Sequence, residues 1–255
     1  MYKILILSGK SFFGGAQASA MAEYLSFEGI PHVIISANIG NINSILFNQL
    51  YSSITLMQPI QLGEMIKDFW KKEGTEYYKV EDNKLMLKAI FDSLNKPFIN
   101  KTIDTLMIFK PLIFNYNNIE DLIRASINIP GIVKFGRSNV HPTSYEVSNL
   151  TKVVSPMLTR EQIDPVMDKL KVTVIYNSNK NGFISEEVNS YTTTNRLLAS
   201  MVNESNELYH ITKFFTNHEV NIIRVPAFYN IDIPKYDYEW YEQLGMEAYL
   251  NSINY

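Results

Sequence analysis

Short apolar runs alternate with amphipathic stretches over the first two thirds of the chain, and glycine or proline marks many of the boundaries. Residues 3–8 form an Ile/Leu run of strand length, the pattern of a strand buried on both faces of a parallel sheet. Gly9, Gly14 and Gly15 end that pattern and permit positive φ and close backbone approach. Residues 16–27 follow with good helix formers, and Ala18, Met21, Ala22 and Leu25 share one face at spacings of three and four. Gly29 stops this helix, Pro31 prevents its resumption, and residues 32–36 are a second apolar strand. The result is a βαβ unit with a glycine loop at the carboxyl end of its first strand, where open α/β sheets place their ligands.

The same periodicities predict helices over residues 43–51, 63–72, 83–94, 118–127 and 159–170. They predict strands over residues 54–58, 105–109, 131–135, 152–155 and 172–176, with a strand or loop at 76–80. Residues 1–180 therefore read as an α/β, Rossmann-like, doubly wound domain with about six or seven mostly parallel strands. The polar stretch NSNKNGFISEE from Asn177 reads as a hinge. Residues 181–255 read as a helical and irregular extension packing back on the first domain. Its predicted elements are helices over 191–202 and 204–216, a short strand over 221–225 and a final aromatic helix over 238–253. Trp240, Leu244, Ala248 and Leu250 are the expected buried residues of that last helix.

Composition narrows the class. With 255 residues, 46% of them hydrophobic, the chain can bury one large core. The formal net charge of −3 supplies no basic field for nucleic acid. No apolar run approaches the roughly 20 residues of a membrane span. The opening MYKILILSGKS runs into a glycine loop and has no small-residue cleavage site, so it reads as the first strand. A cytoplasmic protein is expected. The absence of cysteine excludes disulfides, thiolate chemistry and cysteine-ligated zinc. The 16 Tyr and 14 Phe suit tight packing, with the core as the destination of most.

Candidate chemistry gathers in the loops after strands. Gly14 and Gly15 could offer backbone N–H groups to a diphosphate or carboxylate at a helix amino terminus, or simply make the tight turn. Gly9-Lys10-Ser11 ends like a Walker A loop, but the earlier glycine position holds Ile4 inside a strand, so the motif fails. Arg137 and His141 lie in the polar loop 136–142, where acceptor or phosphate contacts belong, although a histidine in a loop is more often solvated. Asn38 and Asn41 follow the second strand and suit either an acceptor hydroxyl or turn formation. His32, His210 and His218 have no metal-ligand spacing, and no Asp-x-Asp triplet occurs.

Two segments in order, FFGGAQASAMAEYLSFEGIPHVIIS (12–36) and KVVSPMLTREQIDPVMDKLKVTVIYNSNKNGF (152–183), resemble the amino-terminal domain of GT-B glycosyltransferases of the retaining, family 4-like type. The first resembles their glycine-glycine-alanine-acid loop, helix, glycine, and strand beginning with His. The second resembles their late strand ending in Val-Ser, a helix, and the Val-Ile-x-Asn strand that leads to the interdomain hinge. Residues 238–253 resemble the carboxyl-terminal helix with a Trp that crosses back onto the first domain. The resemblance implies transfer of a sugar from a nucleotide-diphosphate sugar, the co-substrate, to an acceptor, with no metal or other cofactor. Gly14 and Gly15 would then meet the donor phosphates, while Asn38, Arg137 and His141 would face the acceptor cleft.

The departures reshape that expectation. Gln17 stands where the family has an acid, Phe135 or Gly136 where it has a histidine, and residues 184–235 lack its Gly-Arg…Lys-Gly pair. The donor-binding half is missing or reduced. The alternatives are a non-catalytic, degenerate domain serving as a binding or structural subunit, and the acceptor half of a split enzyme. In the latter a second chain supplies the donor half; a homo-oligomer is the other expected assembly. Separately, residues 3–44 and RASINIPG (124–131) resemble patatin-type lipases. Their Gly-x-Ser-x-Gly nucleophile elbow here reads Ser36-Ala37-Asn38-Ile39-Gly40, with Asn38 in place of the serine, and the Asp-Gly-Gly partner is missing. That resemblance implies an inactive protein.

Overall fold

The computed structural model describes residues 1–11, 13–53, 57–74, 104–107, 169–183, 191–228 and 237–254. β1 (Tyr2–Gly9), α1 (Gly15–Glu28) and β2 (Val33–Ser36) open the chain, followed by α2 (Gly40–Ser53) and α3 (Pro59–Phe69), which runs into a π-helical turn, Trp70–Gly74. β3 (Asp104–Met107), β4 (Leu170–Phe183), α4 (Tyr191–Phe214), β5 (Glu219–Phe228) and α5 (Tyr238–Ile253) are the remaining described elements. α1 ends where its sequence requires. Gly29 adopts φ +77°, open to glycine at little cost, and its N–H donates to the Leu25 carbonyl at 3.0 Å.

The five strands lie in the order β3-β2-β1-β4-β5, and every pairing is parallel. Alternate residues of β1 feed two cores. Leu5 and Leu7 join Ile34, Ile175 and the buried sides of α1, α2, α3 and α5. Ile4 and Ile6 join Val172, Val174 and, from α4 and its end, Leu208, Ile211 and Phe215. The chain thus runs from β1 towards β3 with helices on one face, and from β4 to β5 with α4 on the other. This is an α/β, Rossmann-like, doubly wound fold.

α1 is enclosed by the sheet, α3 and α5, which is why its buried residues extend beyond the predicted stripe to Gln17, Ser19, Ala20 and Tyr24. α5 seats Gly245 so close to α1 that a Cβ there would lie 2.1 Å from the Ala16 carbonyl oxygen. Ser19 Oγ donates to the Glu242 carbonyl at 2.6 Å. Lys67 of α3 pairs with both Glu64 and Glu242, at 2.8 Å each, tying α3 to α5.

Several expectations change. Met57 and Gln58 are not strand; Gln58 caps α3, whose first residue is Pro59, suited to that position by its fixed φ. Leu170 begins β4 and does not end a helix. The expected hinge from Asn177 is the second half of β4, paired with β5 through a register shift between Ser178 and Phe183. Asn177, Ser178 and Phe183 pair with Val225, Pro226 and Phe228 there, although the intervening side chains give no strand signal. Residues 191–214 form one helix where two were expected, in keeping with a span free of glycine and proline. On α5 the buried residues are Tyr238, Tyr241, Gly245 and Tyr249, one position away from the expected face, and Trp240, Leu244 and Ala248 are half-buried. β5 extends the same sheet, so strands from both sides of position 180 share it. The elements expected over 76–80, 83–94, 118–127, 131–135 and 152–155 lie outside the described residues.

Candidate functional site

The chain reverses its direction across the sheet between β1 and β4, and a doubly wound sheet leaves room for a ligand outside the carboxyl ends of such a pair. There Gly9 faces Asn177 across the ladder. Gly14 is the N-cap of α1 and Gly15 its first residue, with no side-chain cap and no acidic residue in the first turn. The positive end of the α1 dipole therefore points towards this edge. Both glycines are buried against aromatic rings. A Cβ on Gly14 would lie 2.6 Å from Trp70 Cζ2, and one on Gly15 would lie 2.3 Å from Phe13 Cε1. Close packing by the chain's own rings accounts for the missing side chains.

A buried amide network crosses this edge. Gln17 Nε2 donates to the Ser8 and Ile175 carbonyls at 3.0 and 3.2 Å and to Asn177 Oδ1 at 2.7 Å. Its Oε1 accepts from Asn43 Nδ2 at 3.0 Å, and Asn43 Oδ1 accepts from Trp70 Nε1 at 2.7 Å. Asn177 Nδ2 reaches the Pro226 carbonyl at 3.3 Å, and Ser11 Oγ accepts from the Phe228 N–H at 3.0 Å. The amide of Gln17 is engaged in joining α1, α2, β1 and β4. Buried polar groups of this kind are stabilising when satisfied and specify one arrangement.

The turn from β2 into α2 has a second unusual geometry. Asn38 adopts φ +53°, and it is the one residue other than glycine with positive φ among the described residues. It is 3% exposed and stands between the last strand residues and the first turn of the helix. Gly40 begins α2 so close to β1 that a Cβ would lie 2.2 Å from the Leu7 carbonyl oxygen. That oxygen accepts from the Ala37 N–H at 2.9 Å, and the Gly40 N–H donates to the Ala37 carbonyl at 3.1 Å. A sharp strand-to-helix turn with a left-handed central residue is the geometry of a nucleophile elbow. Asparagine tolerates that conformation better than most residues. Asn41 lies on the same helix and accepts from Ser36 Oγ at 2.9 Å, a structural role.

Arg137 and His141 lie outside the described residues, so Gly14, Gly15 and Asn38 are the expected site residues brought to this edge. His32 sits at the opposite end of the sheet. Its Nδ1 accepts from the Lys3 N–H at 3.0 Å, its ring stacks on Tyr2 at 4.5 Å, and burial, with Lys3 nearby, lowers its pKa. Among the described residues, no group of three or more His, Cys, Asp or Glu could hold a metal ion. No helix there is long and apolar enough to cross a membrane. Sequence reasoning missed Asn43, Trp70 and Asn177. An amide at Gln17, in the midst of alanines on a helix enclosed by its neighbours, was the available signal for the network. No protein-family model matches the sequence, and no curated protein matches it.

The turn makes its own prediction. Asn38→Gly is expected to be more stable than Asn38→Ala by about 1 kcal/mol, because alanine is strained at this φ and glycine is not. Urea unfolding of the two variants measures the difference. Equal midpoints would mean that the left-handed turn does not exist in solution.

Proposed function

We propose that the chain is a non-catalytic protein on a patatin-like hydrolase scaffold, serving as a binding or structural subunit. The observation that carries this reading is the elbow: Asn38 at φ +53° between β2 and α2, with Gly40 against Leu7 of β1. The turn has the strained form that presents a nucleophile, while the residue on it is an amide. A carboxamide neither forms an acyl intermediate nor acts as a base at neutral pH, so covalent hydrolysis has no starting group at this position.

Incubated with p-nitrophenyl butyrate and with a fluorophosphonate probe, the purified chain is expected to show no turnover above buffer and no label. Turnover or labelling that Asn38→Ala abolishes would overturn the reading. A second reading, the GT-B-like glycosyltransferase or its acceptor half, is favoured by the strand order and by the return of α5 onto α1. It is tested by thermal shift against UDP-, GDP-, ADP- and TDP-sugars. Ligand at about 100 times its dissociation constant adds roughly 2.7 kcal/mol of stability. A shift with one donor, lost in Gly15→Val, would carry that second reading. The expected result is no shift.

A further inference from the structure

On the face of the sheet opposite α1, α4 buries two carboxylates. Glu204 and Glu207 are 3% and 6% exposed and stand three residues apart, hence on one side of the helix. Ser178 Oγ donates to Glu204 Oε1 at 2.6 Å, and the Tyr176 hydroxyl donates to Glu207 Oε2. Both donors belong to β4 and, as alternate residues, point to the same face. Ser8 stands opposite Tyr176 in the parallel register and so shares that face. It is 1% exposed, and its hydroxyl has no hydrogen-bond partner among the described residues. Lys10, in the loop after β1, acts on Glu207 through space.

A carboxyl withdrawn from water resists being charged, and a second carboxylate on the same side of the helix adds to that resistance, so Glu207 holds its proton above the ordinary carboxylate range. We propose that this cluster is a proton-operated clasp: Glu207 is protonated while α4 is seated on β4, and loss of that proton loosens the helix from the sheet. The titratable groups facing Glu207 among the described residues are Tyr176 of β4, Lys10 after β1 and Glu204 of α4 itself. Burial raises the Glu207 carboxyl to about 7, the bond from Tyr176 and the charge of Lys10 pull it down, and Glu204 pushes it up. The clasp lies beside the carboxyl end of β1 and against the middle of β4.

The sign follows from the direction of the shift. When α4 opens, Glu207 titrates near the ordinary carboxylate value of about 4.3, so between there and about 7 the seated state binds the extra proton. Seating is strongest below that window, weakens as pH rises through it, and levels off above. Hydrogen exchange on the full chain, corrected for intrinsic rates, reads this in the amides of residues 191–214. Their opening constant is expected to rise by up to about tenfold per pH unit between pH 5 and 7. Glu207→Gln is expected to hold it constant over the same range. Tyr176→Phe removes the bond that favours the charged form, so it is expected to move the rise to higher pH, and it remains informative if the glutamine variant does not fold. A pH-independent α4 in the parent chain, an unchanged slope in Glu207→Gln, or an unmoved curve in Tyr176→Phe overturns the clasp.

Discussion

Gly40→Ala is expected to destabilise the protein by about 3 kcal/mol or more, a large share of the roughly 5–15 kcal/mol that holds a domain folded. The added Cβ would lie 2.2 Å from the Leu7 carbonyl oxygen and 2.5 Å from its carbon, both backbone atoms. β1 cannot retreat, because Leu7 is paired with β2 on one side and β4 on the other. α2 cannot retreat without breaking the turn at Ala37 and Asn38 that joins it to β2. Gly29→Ala supplies the control. Gly29 has φ +77° and ψ −162°, a conformation essentially confined to glycine, but nothing within 4 Å of a Cβ, so it loses only the conformational term, about 2 kcal/mol. Thermal unfolding should separate the two, at about 2–4 °C of midpoint per kcal/mol in a chain of this size. Equal losses would mean that α2 does not start against β1, and the elbow would go with it.

That contrast also marks how far the sequence could be read. The opening βαβ unit was legible because its strands are built on short Ile/Leu/Val runs and a glycine closes its helix. The turn at Ser36-Ala37-Asn38-Ile39-Gly40 was legible as an elbow-like string, but its left-handed residue and its approach to Leu7 are facts of packing. The second half of β4 was illegible because its polar residues show no alternation, although Asn177, Ser178 and Phe183 pair with β5. α5 was assigned the wrong face because its tyrosines bury their rings and Gly245 is needed where the helix meets the Ala16 carbonyl. Nothing in the sequence marks Glu204 and Glu207 as buried. Only the placement of α4 over Tyr176 and Ser178 turns them into a buried pair.

Trp70→Ala is expected to destabilise the chain by about 4 kcal/mol, the middle of the range for a buried aromatic. The indole is fully buried at the end of α3, packs edge-on against Phe13 at 5.0 Å and Phe69 at 5.5 Å, and covers Gly14. Its Nε1 donates to Asn43 Oδ1 at 2.7 Å, and Asn43 in turn donates to Gln17 and to the Gly14 carbonyl. One side chain therefore stabilises both the aromatic packing over the glycine loop and the amide network beside it. Trp70→Phe separates the two contributions. It keeps most of the apolar contact and removes only the donor to Asn43, a loss of about 2 kcal/mol when the acceptor stays buried. If Trp70→Phe and Trp70→Ala were equally destabilising in urea, the amide network would carry the effect. If Trp70→Phe were as stable as the parent chain, the ring alone would. The intermediate value is expected, because the loop after β1 is held from both sides. The alanine variant also opens the space over Gly14. A nucleotide-diphosphate sugar that raised its melting point, but not that of the parent, would identify Trp70 as the plug of a phosphate site; the non-catalytic reading expects no such shift in either.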